Sequence, residues 1–88
     1  MKLSVTIEGY DSPIALKGRT AWALQQLIIA GSTGVSTVDR PAPRWSAYVE
    51  KLRKKGIHVD TKWERHGGAF PGRHGVYVLR SVVQIEAA

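Results

Sequence analysis

Apolar and polar residues alternate near both ends of the chain. Residues 3–8, LSVTIE, have the period-two pattern of a half-buried strand. Residues 57–64 alternate in the same way and place Trp63 on the apolar face, where burial is expected. The β-branched residues from Val76 to Val83 predict a strand returning beside them. The pattern therefore predicts an N-terminal strand and a C-terminal β-hairpin.

Helical periodicity replaces this alternation in the middle of the chain. Thr20 is a suitable N-cap for a first helix that runs to Ala30 and ends at Gly31. Ile14–Lys17, just before it, is predicted to be a short apolar connector. Trp22 falls off the main apolar stripe of this helix, so we expect it to pack against the N-terminal strand or a partner subunit.

A short second helix is predicted after the first. Ser36 and Asp39 match the S-x-x-[DE] capping pattern, with Ser36 as the N-cap. Pro41 and Pro43 prevent this helix from continuing. It is therefore predicted to be little longer than one turn.

A third helix is predicted from Pro43 to Gly56, PRWSAYVEKLRKKG. Proline at a first helical position loses no hydrogen bond, and glycine is the usual C-terminal stop. The residues that share its apolar stripe are Trp45, Tyr48, Val49 and Leu52. The residues on the opposite face are Arg44, Ala47, Lys51 and Lys54. One face is suited to burial and the other to an acidic partner.

Strand, helix, short helix, helix and hairpin is the element order of an α+β winged helix-turn-helix, and a chain of 88 residues forms one domain, residues 1–88. The segment from Leu16 to Ser81, above all AYVEKLRKKGI followed by HGGAFPGRHGVYVLRS, resembles the small winged-helix proteins of bacterial genomes and prophages. The resemblance implies double-stranded DNA as partner and regulation of transcription as role. The third helix would enter the major groove, and the hairpin, or wing, would reach along the backbone or into the minor groove.

The charge of the chain also favours a polyanionic partner. The formal net charge is +6 and the pI is about 10.1, so attraction to nucleic acid should fall with added salt. Residues 40–80 carry ten basic groups against three acids, a net of +7, and the rest of the chain carries −1. The chain has no cysteine, which excludes disulfides and thiolate metal sites. No signal peptide or membrane span is recognisable, so a cytoplasmic location is expected.

Arg44 is the first candidate for reading a base. It lies at the start of the third helix, where the helix dipole disfavours a cation, so local stability does not explain it. Arginine there can bind guanine O6 and N7 through two hydrogen bonds. Ala47, one turn later, could contact a thymine methyl, or it could simply be a good helix former.

The other candidates are expected to contact phosphates. Lys54 belongs to this group, whereas Lys51 is expected to supply specificity together with Arg44 and Ala47. Cations in the last turns of a helix are also stabilised by its dipole, which is the alternative explanation for both lysines. Arg40 flanks the start of the helix. The residues that would supply donors from the wing are Arg65, His66, Arg73 and His74.

Three other chemistries find little support in the sequence. The glycine-rich stretch 66–75 is predicted to be a loop leading into a strand, without the G-x-x-x-x-G-K-[ST] signature of a nucleotide site. His66 and His74 could face each other across the hairpin, but no third ligand accompanies them. No catalytic motif is visible, so neither an enzyme nor a cofactor is predicted.

A protein-interaction module on a winged-helix scaffold is the alternative reading, because a fold does not determine function. Phe70 and Pro71 at the wing tip and the off-stripe Trp22 favour it. A homodimer is also possible, since the N-terminal strand could pair within its own chain or with a second subunit.

Overall fold

The computed structural model describes residues 1–36, 44–66 and 72–87. In chain order the elements are β1 Lys2–Ile7, β2 Ile14–Lys17, α1 Gly18–Ala30, a 3-10 turn Gly31–Thr33, β3 Val35–Ser36, α2 Trp45–Lys54, β4 Val59–His66, β5 Gly72–Leu79 and β6 Val83–Ala87. The strands form two antiparallel three-stranded sheets, with orders β2-β1-β6 and β3-β5-β4.

The first sheet resolves how the N-terminal strand pairs. β1 is its central strand and pairs with β2 on one side and β6 on the other, so the strand is completed within its own chain. Ile14–Lys17, predicted as a connector, is a strand instead. Leu16 lies opposite Leu3 and both are buried. Four residues are too few to show period-two alternation, and only the pairing partner makes them a strand.

Helix α1 begins two residues before the predicted cap. Its N-cap is Lys17 in an extended conformation without a side-chain cap bond, and Thr20 lies within the helix, so the prediction of Thr20 as N-cap is wrong. Gly18 has φ +64° and donates its N–H to the carbonyl of Met1 at 2.7 Å. The helix start is therefore set by contact with the N-terminal strand. The predicted stop at Gly31 is confirmed, since its N–H donates to the Leu27 carbonyl.

The described residues contain two α-helices, where three were predicted. Ser36, the predicted N-cap of the short second helix, lies in β3 opposite Val76 of β5. Val35 beside it is fully buried, so an apolar side chain anchors this segment in the second sheet. The rest of the predicted helix, residues 37–40, lies outside the described residues, as does Pro43.

Helix α2 turns the predicted stripe toward the core. Trp45, Val49 and Leu52 are buried, and Tyr48 is half-buried. Gly56, with φ +92°, ends the helix as predicted: it donates its N–H to the Arg53 carbonyl at 3.0 Å, and Ile57 donates to the Leu52 carbonyl at 3.1 Å. This pair of bonds is a Schellman motif. Leu52 and Ile57 belong to one buried cluster with residues of α1, β1 and β4, so the helix end is also fixed by the core.

The wing is longer than the sequence pattern indicates. β4 and β5 pair over eight positions from Val59–Leu79 to His66–Gly72, so residues 66 and 72–75, predicted as loop, lie in strands. The predicted strand 76–83 is divided between the two sheets. Arg80 and Ser81 both donate their N–H to the His58 carbonyl, at 2.8 and 3.3 Å. These bonds turn the chain out of the second sheet before β6 joins the first.

Arg53 connects α2 to β4. Its guanidinium donates from Nε and NH2 to the Val59 carbonyl at 3.0 and 2.7 Å, and from NH2 to Oγ1 of Thr61 at 3.0 Å. We expect Arg53→Lys to lower the free energy of unfolding by about 1 kcal/mol, because an ammonium keeps the charge but cannot reproduce the planar fork. Urea unfolding should show it. The matched exchange Lys54→Arg should leave the midpoint unchanged, and an equal effect of both would contradict this role for Arg53.

Candidate nucleic-acid interface

The outward face of α2 carries unmatched positive charge. Arg44, Lys51 and Lys54 are exposed and Ala47 is half-buried, as the helical pattern predicted. Within the described residues, the ion pairs are those of Asp60 with His58 and Arg80. The cations of α2 therefore face solvent without a described acidic partner.

Arg44 lies at a strained position. The sequence predicted Arg44 to lie in the first turn of the helix, but Arg44 is the N-cap of α2. Its carbonyl accepts the Tyr48 N–H at 3.1 Å. Its φ of 121° is the one positive value among non-glycine residues in the described ranges. A side chain in this conformation costs about 1–3 kcal/mol, and such strain is concentrated at functional sites. The first turn of α2 has no acidic residue, so the positive end of the helix dipole is not neutralised there.

A basic groove separates the N-terminal hairpin from the second half of α2. We use this name for a groove of about 960 Å³ whose cationic lining is Lys2, Lys17, Lys51, Lys54 and Lys55. Its lining contains no acidic residue. A second groove, of about 600 Å³, adjoins it at Lys2, Lys17 and Lys51 and extends to Arg19 and Arg44. Positive charge is thus continuous from the start of α2 to the outer face of the first sheet.

Lys2 and Lys17 could not be assigned to this site from the sequence pattern. They belong to the part of the chain with a net charge of −1. The pairing of β1 with β2 sets them opposite each other at the end of the hairpin that faces α2. Predicting residues 14–17 as a strand paired with the N-terminal strand would have placed the two lysines side by side.

Aromatic side chains fix α1 against the start of α2. Trp22 packs on Trp45, with ring centroids 5.3 Å apart, and the Arg19 guanidinium lies 4.5 Å from the Trp22 ring centroid. Trp45 also stacks on Tyr77 of β5 at 6.2 Å. Trp22 therefore packs against α2, a contact that the sequence pattern did not predict.

The wing contributes fewer described side chains. Arg65 is exposed on β4. The backbones of His66, Arg73 and His74 lie in the paired strands, but their side chains lie outside what the structure describes. His66 pairs with Gly72, and His74 with Glu64, so the two histidines are not directly opposite as considered above. Arg40 and the tip residues Phe70 and Pro71 also lie outside the described residues.

Trp63 is exposed, and its predicted burial is wrong. Its side chain lies 65% exposed on β4. The ring lies over Gly75 on the paired strand: a Cβ built there would be 3.8 Å from the nearest Trp63 ring atom. Strand alternation predicts which side chains share a face, but covering that face needs another element. The wing presents a large aromatic surface to solvent here.

Asp60 pairs with two side chains at the base of the wing. Its carboxylate accepts from Arg80 Nε at 2.7 Å and lies 2.9 Å from Nε2 of His58. The hydrogen bond from Arg80 is the main cause that lowers the pKa of Asp60. Since the carboxylate stays ionised, Arg80 has an acidic partner, unlike the lysines of the basic groove.

Among the side chains that the structure describes, no three His, Asp or Glu residues cluster closely enough to hold a metal ion. No helix in the described part of the chain has the length and apolar character needed to cross a membrane.

The strand pairing, the two helices and the hairpin together match a known architecture. The strands of the second sheet, β3-β5-β4, follow α1 in the chain, and α2 lies between β3 and β4 in sequence, as in a winged helix. Comparison with curated protein sequences and with solved structures finds no significant match. A family model described as "Winged helix domain" matches residues 13–88, which points to DNA binding in general. The match covers all but β1 and the turn after it, and the chain belongs to this family of winged helix domains.

Proposed function

We propose that this protein binds double-stranded DNA with full or partial sequence specificity and regulates transcription in the cytoplasm of its cell. The observation that carries the proposal is the cationic outer face of α2, which has no described acidic partner and continues into two basic grooves. Phosphates are the natural complement to such a surface. The function is one of binding and not of catalysis.

Within this proposal, α2 enters the major groove and its first turn meets the bases. Arg44 binds a guanine edge, the methyl of Ala47 contacts a thymine methyl, and Lys51 lies at the border between bases and backbone. Lys54 contacts phosphate. The remaining predicted contacts, to the backbone or a narrow minor groove, are Arg40, Arg65, His66, Arg73 and His74.

The salt dependence of binding tests this proposal. If about five to seven phosphates are neutralised, log K should fall against log salt with a slope of about −4.5 to −6, since each phosphate contributes about −0.9. Fluorescence anisotropy with a labelled duplex between low and moderate salt measures the slope. No binding at low salt would refute the proposal. Selection of bound sites from a random DNA pool would then define the preferred sequence and its symmetry, which also tests for a homodimer.

A protein-interaction module is the second candidate, and exposed Trp63 is the observation that favours it. Large aromatic side chains that face solvent are enriched at protein interfaces. Of the features that first favoured this candidate, Trp22 is engaged with Trp45, and Phe70 and Pro71 lie outside the described residues. A partner that stays bound after nuclease treatment in high salt, and is released by Trp63→Ala, would support the module over DNA tethering.

A further inference from the structure

We propose that the N-terminal hairpin, β1 with β2, is a second DNA-binding element that holds the phosphodiester backbone in the basic groove against α2. This inference rests on the proposed function and extends it. The residues involved on the hairpin side are Lys2 and Lys17, which were not among the residues predicted from the sequence to contact DNA.

The hairpin keeps two like charges together without a local benefit. Lys2 and Lys17 are directly opposite across β1 and β2, and both are exposed. Like charges at opposite positions destabilise a strand pair. Neither lysine forms an ion pair with a described residue. A polyanion lying between the two lysines would attract both ammonium groups and so offset their mutual repulsion.

Small side chains line the hairpin side of the groove beside the two lysines. Ser4 and Ala15 form the next pair along the hairpin on the same face, and both side chains are small. Lys51, Lys54 and Lys55 line the groove from α2. The hairpin thus contributes two cations and small side chains to a groove to which the helix contributes three cations.

Charge is segregated along the hairpin. Its exposed acids, Glu8 and Asp11, lie in and beside the turn at the end away from Lys2 and Lys17. The end of the hairpin that meets α2 carries cations only. A long polyanion that follows α2 therefore meets the favourable end and avoids the acids.

The connection to α2 selects the DNA backbone as the ligand. Lys51 lines both the basic groove and the neighbouring groove that contains Arg44. With the start of α2 directed at base edges, the basic groove lies beside the flanking sugar-phosphate backbone. A single duplex can fill both positions, with bases read at one and phosphates held at the other.

The absence of cysteine permits a direct test, since a single introduced thiol is unique in the chain. Ala15→Cys places a thiol in the lining of the basic groove, and Ser12→Cys places one in the exposed turn between β1 and β2. With duplex at ten times its Kd, about one protein molecule in eleven is free. Alkylation of the Ala15→Cys thiol should therefore slow about tenfold, while that of the Ser12→Cys thiol should change little.

Anisotropy on the same two proteins separates the two proposals. If neither binds duplex, the proposed function fails. If both bind and the Ala15→Cys thiol reacts at its unprotected rate, DNA does not cover the groove, and only the role of the hairpin is overturned.

The lysines themselves provide the second measurement. The double variant Lys2→Gln/Lys17→Gln should make the salt slope shallower by about 1.8, which corresponds to two phosphate contacts. Lys2→Arg/Lys17→Arg keeps the charge and should restore the slope. Thermal unfolding confirms that both variants are folded. A glutamine variant that is folded and keeps the original slope would overturn the inference.

Discussion

Replacing Gly34 with alanine is expected to lower the free energy of unfolding by about 2 to 5 kcal/mol. A Cβ at this position would lie 2.8 Å from the Tyr77 carbonyl oxygen and 2.8 Å from γ-carbons of Val76 and Val78. Gly34 also has φ +82°, which costs a non-glycine residue about 1–2 kcal/mol. Overpacking adds about 1–3 kcal/mol. Because β5 is the central strand of its sheet, the carbonyl cannot move without disturbing pairing on both sides.

Gly9 provides the matched control for this substitution. Its φ is +92°, and a Cβ there would meet no atom within 4 Å. Gly9→Ala should therefore show the backbone cost alone, about 1–2 kcal/mol. Urea unfolding followed by circular dichroism compares the two variants. Equal losses would mean that the close approach of Gly34 to β5 contributes nothing to stability.

Helix α2 could be predicted from the sequence because several local signals agree there. The apolar stripe at Trp45, Val49 and Leu52 has a helical period and is buried. Gly56 ends the helix because glycine readily adopts the positive φ that the end of the helix requires. The exposed cations on the other face follow from the same period. Where helical periodicity and a terminal glycine indicate the same helix, the tertiary packing is consistent with the local prediction.

The hairpin side of the basic groove depends on long-range pairing. β2 has four residues, and of the five residues of β6 only Val83 fell within the predicted strand 76–83. Each segment is too short for its alternation of apolar and polar residues to predict a strand. Each is a strand because it pairs with β1. The positions of Lys2 and Lys17 relative to α2 follow from that pairing. Sequence pattern alone could not show that charges at the two ends of the hairpin segment meet at one groove.

Exposure of Trp63 and strain at Arg44 escaped the pattern for different reasons. The alternation of residues places Trp63 on the apolar face of β4, but the described elements leave its side chain 65% exposed. Hydropathy along the chain does not show which other element covers a strand face. Arg44 was expected inside the helix, after a proline at the first helical position. The structure starts the helix at Trp45 and leaves Arg44 with φ 121°. A positive φ in a residue other than glycine is not a property that residue type predicts.

Arg44→Gly should make the protein more stable and at the same time a poorer DNA binder. Glycine tolerates the observed φ of 121°, so relief of about 1–3 kcal/mol of strain exceeds the roughly 0.5–1 kcal/mol that glycine adds in chain entropy. A gain of about 1 kcal/mol raises the melting temperature of a domain this size by about 4–8 °C. Loss of a two-bond guanine contact should reduce affinity for the preferred site about tenfold to one-hundredfold.

Two control variants separate base reading from charge at this position. Arg44→Lys keeps the cation but lacks the planar fork, so binding to random duplex should persist while discrimination falls. Lys54→Ala should weaken preferred and random duplexes alike, because a phosphate contact carries no sequence information. Anisotropy on both duplexes measures the ratio. If Arg44→Gly weakens both duplexes equally, Arg44 contacts phosphate only, and if it lowers the melting temperature, the backbone at this position is not strained. A stabilised variant with lost discrimination would identify Arg44 as a residue kept in a costly conformation for the sake of recognition.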